Sequence, residues 1–447
     1  MKRWRKSRER RAQSNSPGLP FFCNNGKPSA QVSDAVDNAG RPPSECETIH
    51  RPWRRNIAVK SKTQRRISAF AIVLVSALCV SLPLTAAILP EDRADALYHR
   101  YDGGGVTIDG PSVMVRKQIG KSVSVMANEY QDSVTSASID VESYASPYTE
   151  KRKEQRLGLD YLHENTTMNL TYVNSEESDY TADTYDFSVS HVMFGELTTV
   201  TLGYGRGTDD VGQNSGGVRE DKGKTDHYKY RLGLSQVLTK NLVVSGTVEL
   251  DTDEGFLNNP YRNVYVIKRD LSGAVVDSGF TTQENYPKTH TSNAVGLVAK
   301  YYLPYRAAVS LGYRTYSDTW DVVGNMYEIG YTHPLESHWI FDFTFRTYSQ
   351  TASSFYADAF EDADLPVFRA RDKELSTYSD NTLGVGLSYE FGKKGFWIFD
   401  KGSVNLNYSR IKFDYQNFTD QRPLSPSKGQ PYGFTADVFR FFVSVWY

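Results

Sequence analysis

From about residue 106 onward the chain repeats one pattern: roughly eight to twelve residues in which apolar and polar side chains alternate, a tight turn, a second such run, then a longer polar loop. Alternation at period two sends successive side chains to opposite faces of an extended strand. Leu157, Leu159 and Tyr161 share one face and are followed across Glu164-Asn165 by Met168, Leu170 and Tyr172. Tyr230, Leu232 and Leu234 turn at Lys240-Asn241 into Val244 and Val248, and Val295, Leu297 and Tyr301 turn at Leu303-Pro304 into Val309, Leu311 and Tyr313. Tyr327, Ile329 and Tyr331 turn near His333-Pro334 into Trp339, Phe341 and Phe345. No long apolar helix follows residue 90.

A soluble sandwich would show the same alternation, burying one face and wetting the other. Three features favour a barrel that faces lipid with its apolar side. Short turns and long loops alternate, as they do between the two rims of a membrane barrel. Aromatic residues gather at stripe ends, with Tyr161, Tyr301, Tyr331 and Tyr389 at one rim and Tyr172, Tyr204 and Tyr348 at the other. The array also follows a secretory signal: Ile67 to Leu89 is uncharged, comes after Arg65-Arg66 and ends in small residues at Thr85-Ala86-Ala87. A membrane anchor is the alternative, weighed against by Pro83 and the small-residue cluster. Composition agrees, since 30 Tyr and 22 Phe with only 39% hydrophobic residues suit alternating strands better than a thick soluble core.

The expected organisation is a polar, basic extension over 1–60, a signal peptide over 61–87 with cleavage near Ala87, and a barrel over 88–447. The extension has no apolar periodicity and is expected to be disordered, or to reflect an over-extended gene start with initiation at Val59. Residues 1–90 carry 16 Lys+Arg and 5 Asp+Glu, so the exported part is acidic, with 35 basic and 48 acidic residues. That balance argues against a nucleic-acid binder. Cys23, Cys46 and Cys79 all precede the exported part, which is thereby without disulfide or thiolate chemistry.

The last segment places Phe439, Phe441, Val443, Val445 and Tyr447 on one face. It resembles the C-terminal strand that the barrel-insertion machinery reads in outer-membrane proteins, and sets the C-terminus at the periplasmic rim. About fifteen segments follow Val106, so a first strand near Ala94 to Tyr101 is required to make the count even. The fold expected is all-β, a transmembrane antiparallel up-and-down barrel of about 16 strands, with 14 to 18 in range. Its location is the outer membrane, among outer-membrane lipids and lipopolysaccharide. At that size side chains alone do not fill the lumen.

The runs Leu97-Tyr98-His99-Arg100-Tyr101-Asp102-Gly103-Gly104-Gly105, Asp253 to Arg262 and Ala370 to Ser376 resemble a family of proteobacterial proteins catalogued as a domain of unknown function. The resemblance covers roughly residues 90 to 447. It implies an outer-membrane barrel with no assigned activity and no catalytic residues. Family genes lie near small lipoproteins, thioredoxin-like proteins and flavin transferases, which implies a redox-linked assembly and a periplasmic or lipoprotein partner.

Several clusters are candidates for function. Inward-facing Arg231, Arg314 and Arg346 are expected to shape selectivity in a pore, together with Arg262 and Arg371 from the two longest loops, which mix Arg with acidic residues as pore constrictions do. Asp251, Asp253 and Glu254 stand where a strand leaves the membrane and could hold a divalent cation through carboxylate oxygens, against the plainer reading of a surface turn. His227 and His290 are the histidines placed to serve catalysis, with no Ser or Asp partner assignable by spacing. No cofactor is expected. The leading expectation is a porin-like channel for small polar solutes; the alternatives are a scaffold around a periplasmic or lipoprotein partner and, further off, a surface hydrolase.

Overall fold

The computed structural model describes residues 87–136, 148–215, 217–270, 272–422 and 425–447. The basic extension over 1–60 and the signal peptide, Ala87 excepted, lie outside the described residues. The first wall strands are β1 (Arg93–Gly103), β2 (Val106–Ile119), β3 (Val123–Ser136), β4 (Tyr148–His163), β5 (Thr166–Glu176) and β6 (Tyr180–Met193). They are followed by β7 (Thr198–Ser215), β8 (Val218–Thr239), β9 (Leu242–Gly255), the short β10 (Asn263–Arg269) and β11 (Val275–Gln283), β12 (Thr289–Tyr302) and β13 (Ala308–Asp318). The rest are β14 (Val323–Leu335), β15 (Trp339–Gln350), the short β16 (Phe360–Glu361), β17 (Tyr378–Phe391), β18 (Lys401–Thr419) and β19 (Pro431–Trp446).

Sixteen of these form one closed antiparallel barrel; β10, β11 and β16 form a separate small sheet. The barrel closes where β1 pairs β19, from Arg93↔Trp446 to Gly103↔Ala436. The first strand expected near Ala94 is therefore present. Closure gives every strand two neighbours, so no wall strand presents a free edge of N–H and C=O groups.

Parity then sorts the side chains. Val113 and Val115, Leu157 and Leu159, Leu202, Leu232, Leu297, Ile329, the β17 trio Leu383, Val385 and Leu387, Leu406 and Phe441 all stand exposed on the outside. Such an encircling apolar belt far exceeds the few hundred Å² that soluble proteins expose, and it is the surface of a chain that spans a bilayer. The inward positions between them are polar or small, among them Ser124, Asp160, Thr382, Ser403, Asn405 and Ser444.

One rim, here the near rim, holds Arg93, Trp446 and seven connections, all but one of them tight. The far rim is less regular than the sequence pattern led one to expect. Its β1–β2, β5–β6, β7–β8 and β13–β14 connections are also short; 256–288, 351–377 and 420–430 are long, and the β3–β4 connection, 137–147, lies outside the described residues. Two further expectations are corrected. Tyr348 belongs to no outer aromatic girdle: it shares the inward parity of Arg346 and packs 5.7 Å from Tyr378. The turn expected near His333-Pro334 falls later, because β14 continues through Pro334↔Ile340 to Leu335↔Trp339. In β2, pairing with β3 skips Gly110 and Pro111. Pro111 has no N–H to give, and a Cβ at Gly110 would lie 1.8 Å from the Gln131 carbonyl oxygen, so only glycine fits there.

Candidate functional site

The two longest far-rim loops fold against each other. Within 256–288, β10 pairs antiparallel with β11; β10 also pairs in parallel with β16 of the other loop, at Val266↔Phe360 and Ile267↔Glu361. The β-branched Val264 and Val266 alternate with more exposed residues and bury completely against Phe360. A second cluster joins Tyr286, Phe355 and Ala370, with Trp320 and Leu375 against it. Arg269 donates from Nε and Nη2 to both carboxylate oxygens of Glu361, at 3.0 and 2.8 Å.

Charged side chains are buried inside this cap. Arg371 is 3% exposed. Its main-chain N–H donates to Glu284 Oε1 at 2.7 Å, its Nη2 to the Thr419 carbonyl at 2.9 Å, and its Nη2 lies 2.8 Å from Asp358 Oδ1. Its guanidinium sits 4.4 Å from the centre of the Phe418 ring. Arg262 pairs with Asp372. Glu284 is 2% exposed and also accepts from the Tyr286 hydroxyl at 2.8 Å. Burial pushes the Glu284 carboxyl up to about 7; nearby Arg262 opposes that rise and Asp372 adds to it.

The cap is anchored round the far rim. The Tyr261 hydroxyl bonds Asp179 in the β5–β6 turn and accepts from the Asn214 N–H of β7 at 2.6 Å. Ser354 N–H donates to the Trp320 carbonyl in the β13–β14 turn at 2.9 Å, and the Tyr356 hydroxyl donates to the Asn417 carbonyl of β18 at 3.0 Å.

Beneath the cap, an alternating chain of carboxylates and imidazoles crosses the inner wall. Tyr180 donates to Asp209; His227 bridges Asp209 and Asp253 at 2.7 Å each; His290 bridges Asp253 at 3.1 Å and Asp318 at 3.0 Å; Tyr316 donates to Asp318 at 2.9 Å. Outward residues at this level, such as Thr208, Asp226, Thr252, Thr291 and Ser317, are polar, so the chain lies above the apolar belt. With a carboxylate at each ring nitrogen, both imidazoles donate at both ends, which only the doubly protonated ring can do. The chain also touches the cap. His290 lies 4.2 Å from Trp320, whose ring in turn packs on Tyr286 and Phe355 at 5.6 and 5.2 Å.

The residues singled out in the sequence fall as follows. Arg231 and Arg314 face the lumen and share Glu249, at 3.1 and 2.6 Å. Arg346 faces Thr382 at 3.1 Å and Asp380 at 3.9 Å. Arg262 and Arg371 lie within the cap, each against a carboxylate. Asp251, Asp253 and Glu254 do not converge: Asp251 and Asp253 point inward, Glu254 outward, and both oxygens of Asp253 are held by His227 and His290. Among the described residues no group of His, Cys, Asp and Glu is arranged to hold a metal ion. His227 and His290 meet Asp209, Asp253 and Asp318, which spacing did not pair with them. Phe439 and Phe441 stand outward beside Tyr408 and Leu406, with Val443 next to Val404, while the Tyr447 hydroxyl reaches back to the Arg116 carbonyl at 3.0 Å. Sequence reasoning missed Glu284, Tyr286, Asp358 and Trp320, none of which stands in a motif.

No curated protein matches the chain. Among solved structures it is similar to a bacterial polysaccharide outer membrane secretin, with TM-score 0.43 and 8% identity over 80% of this chain and 100% of that one. It is similar also to the siderophore receptor PirA from Acinetobacter baumannii, with TM-score 0.40 and 10% identity over 78% of this chain and 58% of that one. A third is outer-membrane expressed OmpT of Vibrio cholerae, with TM-score 0.37 and 8% identity over 81% and 100%. Residues 212–408, which hold both cap loops and His227, Asp253, His290 and Asp318, match the family model described as "Protein of unknown function (DUF3570)". That match covers less than half of the chain, and the residues it spans are carried on a closed sixteen-stranded β-barrel.

Proposed function

We propose that this protein is an outer-membrane channel for small polar solutes whose cell-surface mouth is controlled by the cap of residues 256–288 and 351–377. The carrying observation is a closed wall of sixteen strands with an apolar outside and a polar inside. A barrel of that size leaves an aqueous lumen unless loops fill it. Pairing of Arg231 and Arg314 with Glu249 makes the wall wettable without a strong field of one sign, which suits polar solutes better than a single class of ion. In this reading the near rim with its tight turns faces the periplasm, export uses the 61–87 signal, and the strand bearing Phe439, Phe441, Val443, Val445 and Tyr447 is read by the insertion machinery. Lipopolysaccharide surrounds the far rim.

Planar-bilayer recording of the purified barrel tests this. The native chain is expected to show small or intermittent conductance, and a variant lacking 351–377 a larger and steadier one. Silence from both overturns the channel reading. The buried clusters that knit the cap favour a second reading, a barrel held shut as a scaffold for a periplasmic or lipoprotein partner. Silence in both recordings together with crosslinking of one dominant neighbour in native membranes would select it.

A further inference from the structure

Among the seven near-rim connections, six run two to five residues, and the β17–β18 connection runs nine, from Gly392 to Asp400. It folds as a miniature hairpin: Phe396 and Phe399 exchange N–H···O=C bonds of 2.8 and 2.9 Å, leaving Trp397 and Ile398 as its two-residue tip. Those two side chains are 90% and 64% exposed. The first tip position takes φ 53, where glycine or asparagine is the usual choice and a bulky aromatic costs backbone energy. A strained backbone that serves only to present Trp-Ile to the surroundings calls for an apolar surrounding.

The hairpin's direction says which. Phe391 continues the outward parity of Leu387 and Tyr389 and lies over Gly402. Phe396 packs on Phe391 at 5.3 Å and Phe399 on Phe396 at 5.2 Å, so the hairpin leans to the lipid side of the wall. There it extends the aromatic ring of Tyr389 and Trp339, whose centroids are 4.7 Å apart. Exposed Lys394 precedes the tip, at the height where aromatic and basic side chains meet a headgroup layer, while its neighbour Lys393 is ion-paired with Glu390 at 2.7 Å and donates to the Ser337 carbonyl.

We propose that residues 392–400 form an interfacial anchor that places Trp397 and Ile398 in the lipid leaflet at the near rim, with Lys394 against anionic phospholipid headgroups. The inference rests on the barrel's membrane-spanning fold and not on its being a channel. The full chain is refolded into phosphatidylcholine vesicles with and without phosphatidylglycerol, alongside Trp397→Phe and Trp397→Gly variants. The emission lost in Trp397→Phe isolates Trp397; it is expected to be blue-shifted and largely quenched by acyl-brominated lipid. Trp397→Gly, which relieves the positive φ, is expected to fold normally and lose that signal. Lys394→Gln is expected to reduce any gain in urea resistance from phosphatidylglycerol. Solvent-like Trp397 emission, open to aqueous iodide and untouched by brominated lipid, overturns the proposal and leaves the tip for a protein partner. Bilayer conductance is expected to be unchanged in Trp397→Phe, so failure here and failure of the channel reading are separable.

Discussion

Arg371 and Glu284 carry the argument at the scale of single residues. Each is almost wholly buried, and a buried charge is tolerated only when its hydrogen-bonding capacity is met. Arg371→Ala leaves Asp358 and the Thr419 carbonyl without that partner. On the order of 3 kcal/mol of cap stability is expected to be lost, read as faster proteolysis within 351–377 while the barrel itself stays resistant. Glu284 makes the cap sensitive to pH. Its carboxyl is raised from an ordinary 4.5 to about 7 when seated, so the seated cap holds a proton that the released loop gives up. The resulting stabilisation is complete below about 4.5, falls as pH rises through 7, and is constant above it. Protection of the cap loops from proteolysis is expected to be stronger at about pH 5 than at about pH 8, with Glu284→Gln flattening the profile. A profile unchanged by that substitution would assign the sensitivity elsewhere.

At the scale of strands, outward parity makes a graded prediction. Phe441 lies between Tyr98 and Leu406 in the apolar belt, so Phe441→Arg is expected to cost about 2–4 kcal/mol in urea unfolding from lipid vesicles. A charge at Asp226, which faces outward above the belt, is already present, and Asp226→Arg is expected to cost well under about 1 kcal/mol by the same measurement, since the penalty falls toward zero outside the hydrocarbon. In β2, Gly110→Ala forces Gln131's carbonyl away, and slower folding into vesicles is the expected outcome. The long β8 shows how one strand serves two media. From Thr239 to Tyr230 it faces lipid, and from His227 to Val218 it rises about 30 Å further as part of a charged hairpin.

For the whole molecule, the local pattern and the long-range fold divide cleanly. Period-two alternation, tight turns such as Lys240-Asn241 and the outward face of Phe439 and Phe441 are properties of neighbouring residues, so the barrel, its sixteen strands and its lipid-facing side were legible directly. The two-residue turn at Lys240-Asn241 made β8 and β9 neighbours, but it is the irregularity between Val237 and Thr239 that shifts their register and brings His227 opposite Asp253, which spacing alone did not show. His290 was different. Its place beside Asp253 depends on β12 pairing β9 across the whole 256–288 loop, a register that no turn geometry encodes. Tyr348 was misjudged because an aromatic at a strand end has the same signature inside and out until parity is counted from the neighbouring Phe345. The cap lies furthest from local rules: Val266 meets Phe360, Glu284 meets Arg371, and Arg262 meets Asp372, all between loops far apart in the chain with four wall strands between them. By itself the sequence determined the wall, because each strand's two faces see fixed media, lipid and water. Only the tertiary structure decided the cap and the carboxylate–imidazole chain, because those depend on which distant side chains the closed barrel brings within hydrogen-bond reach.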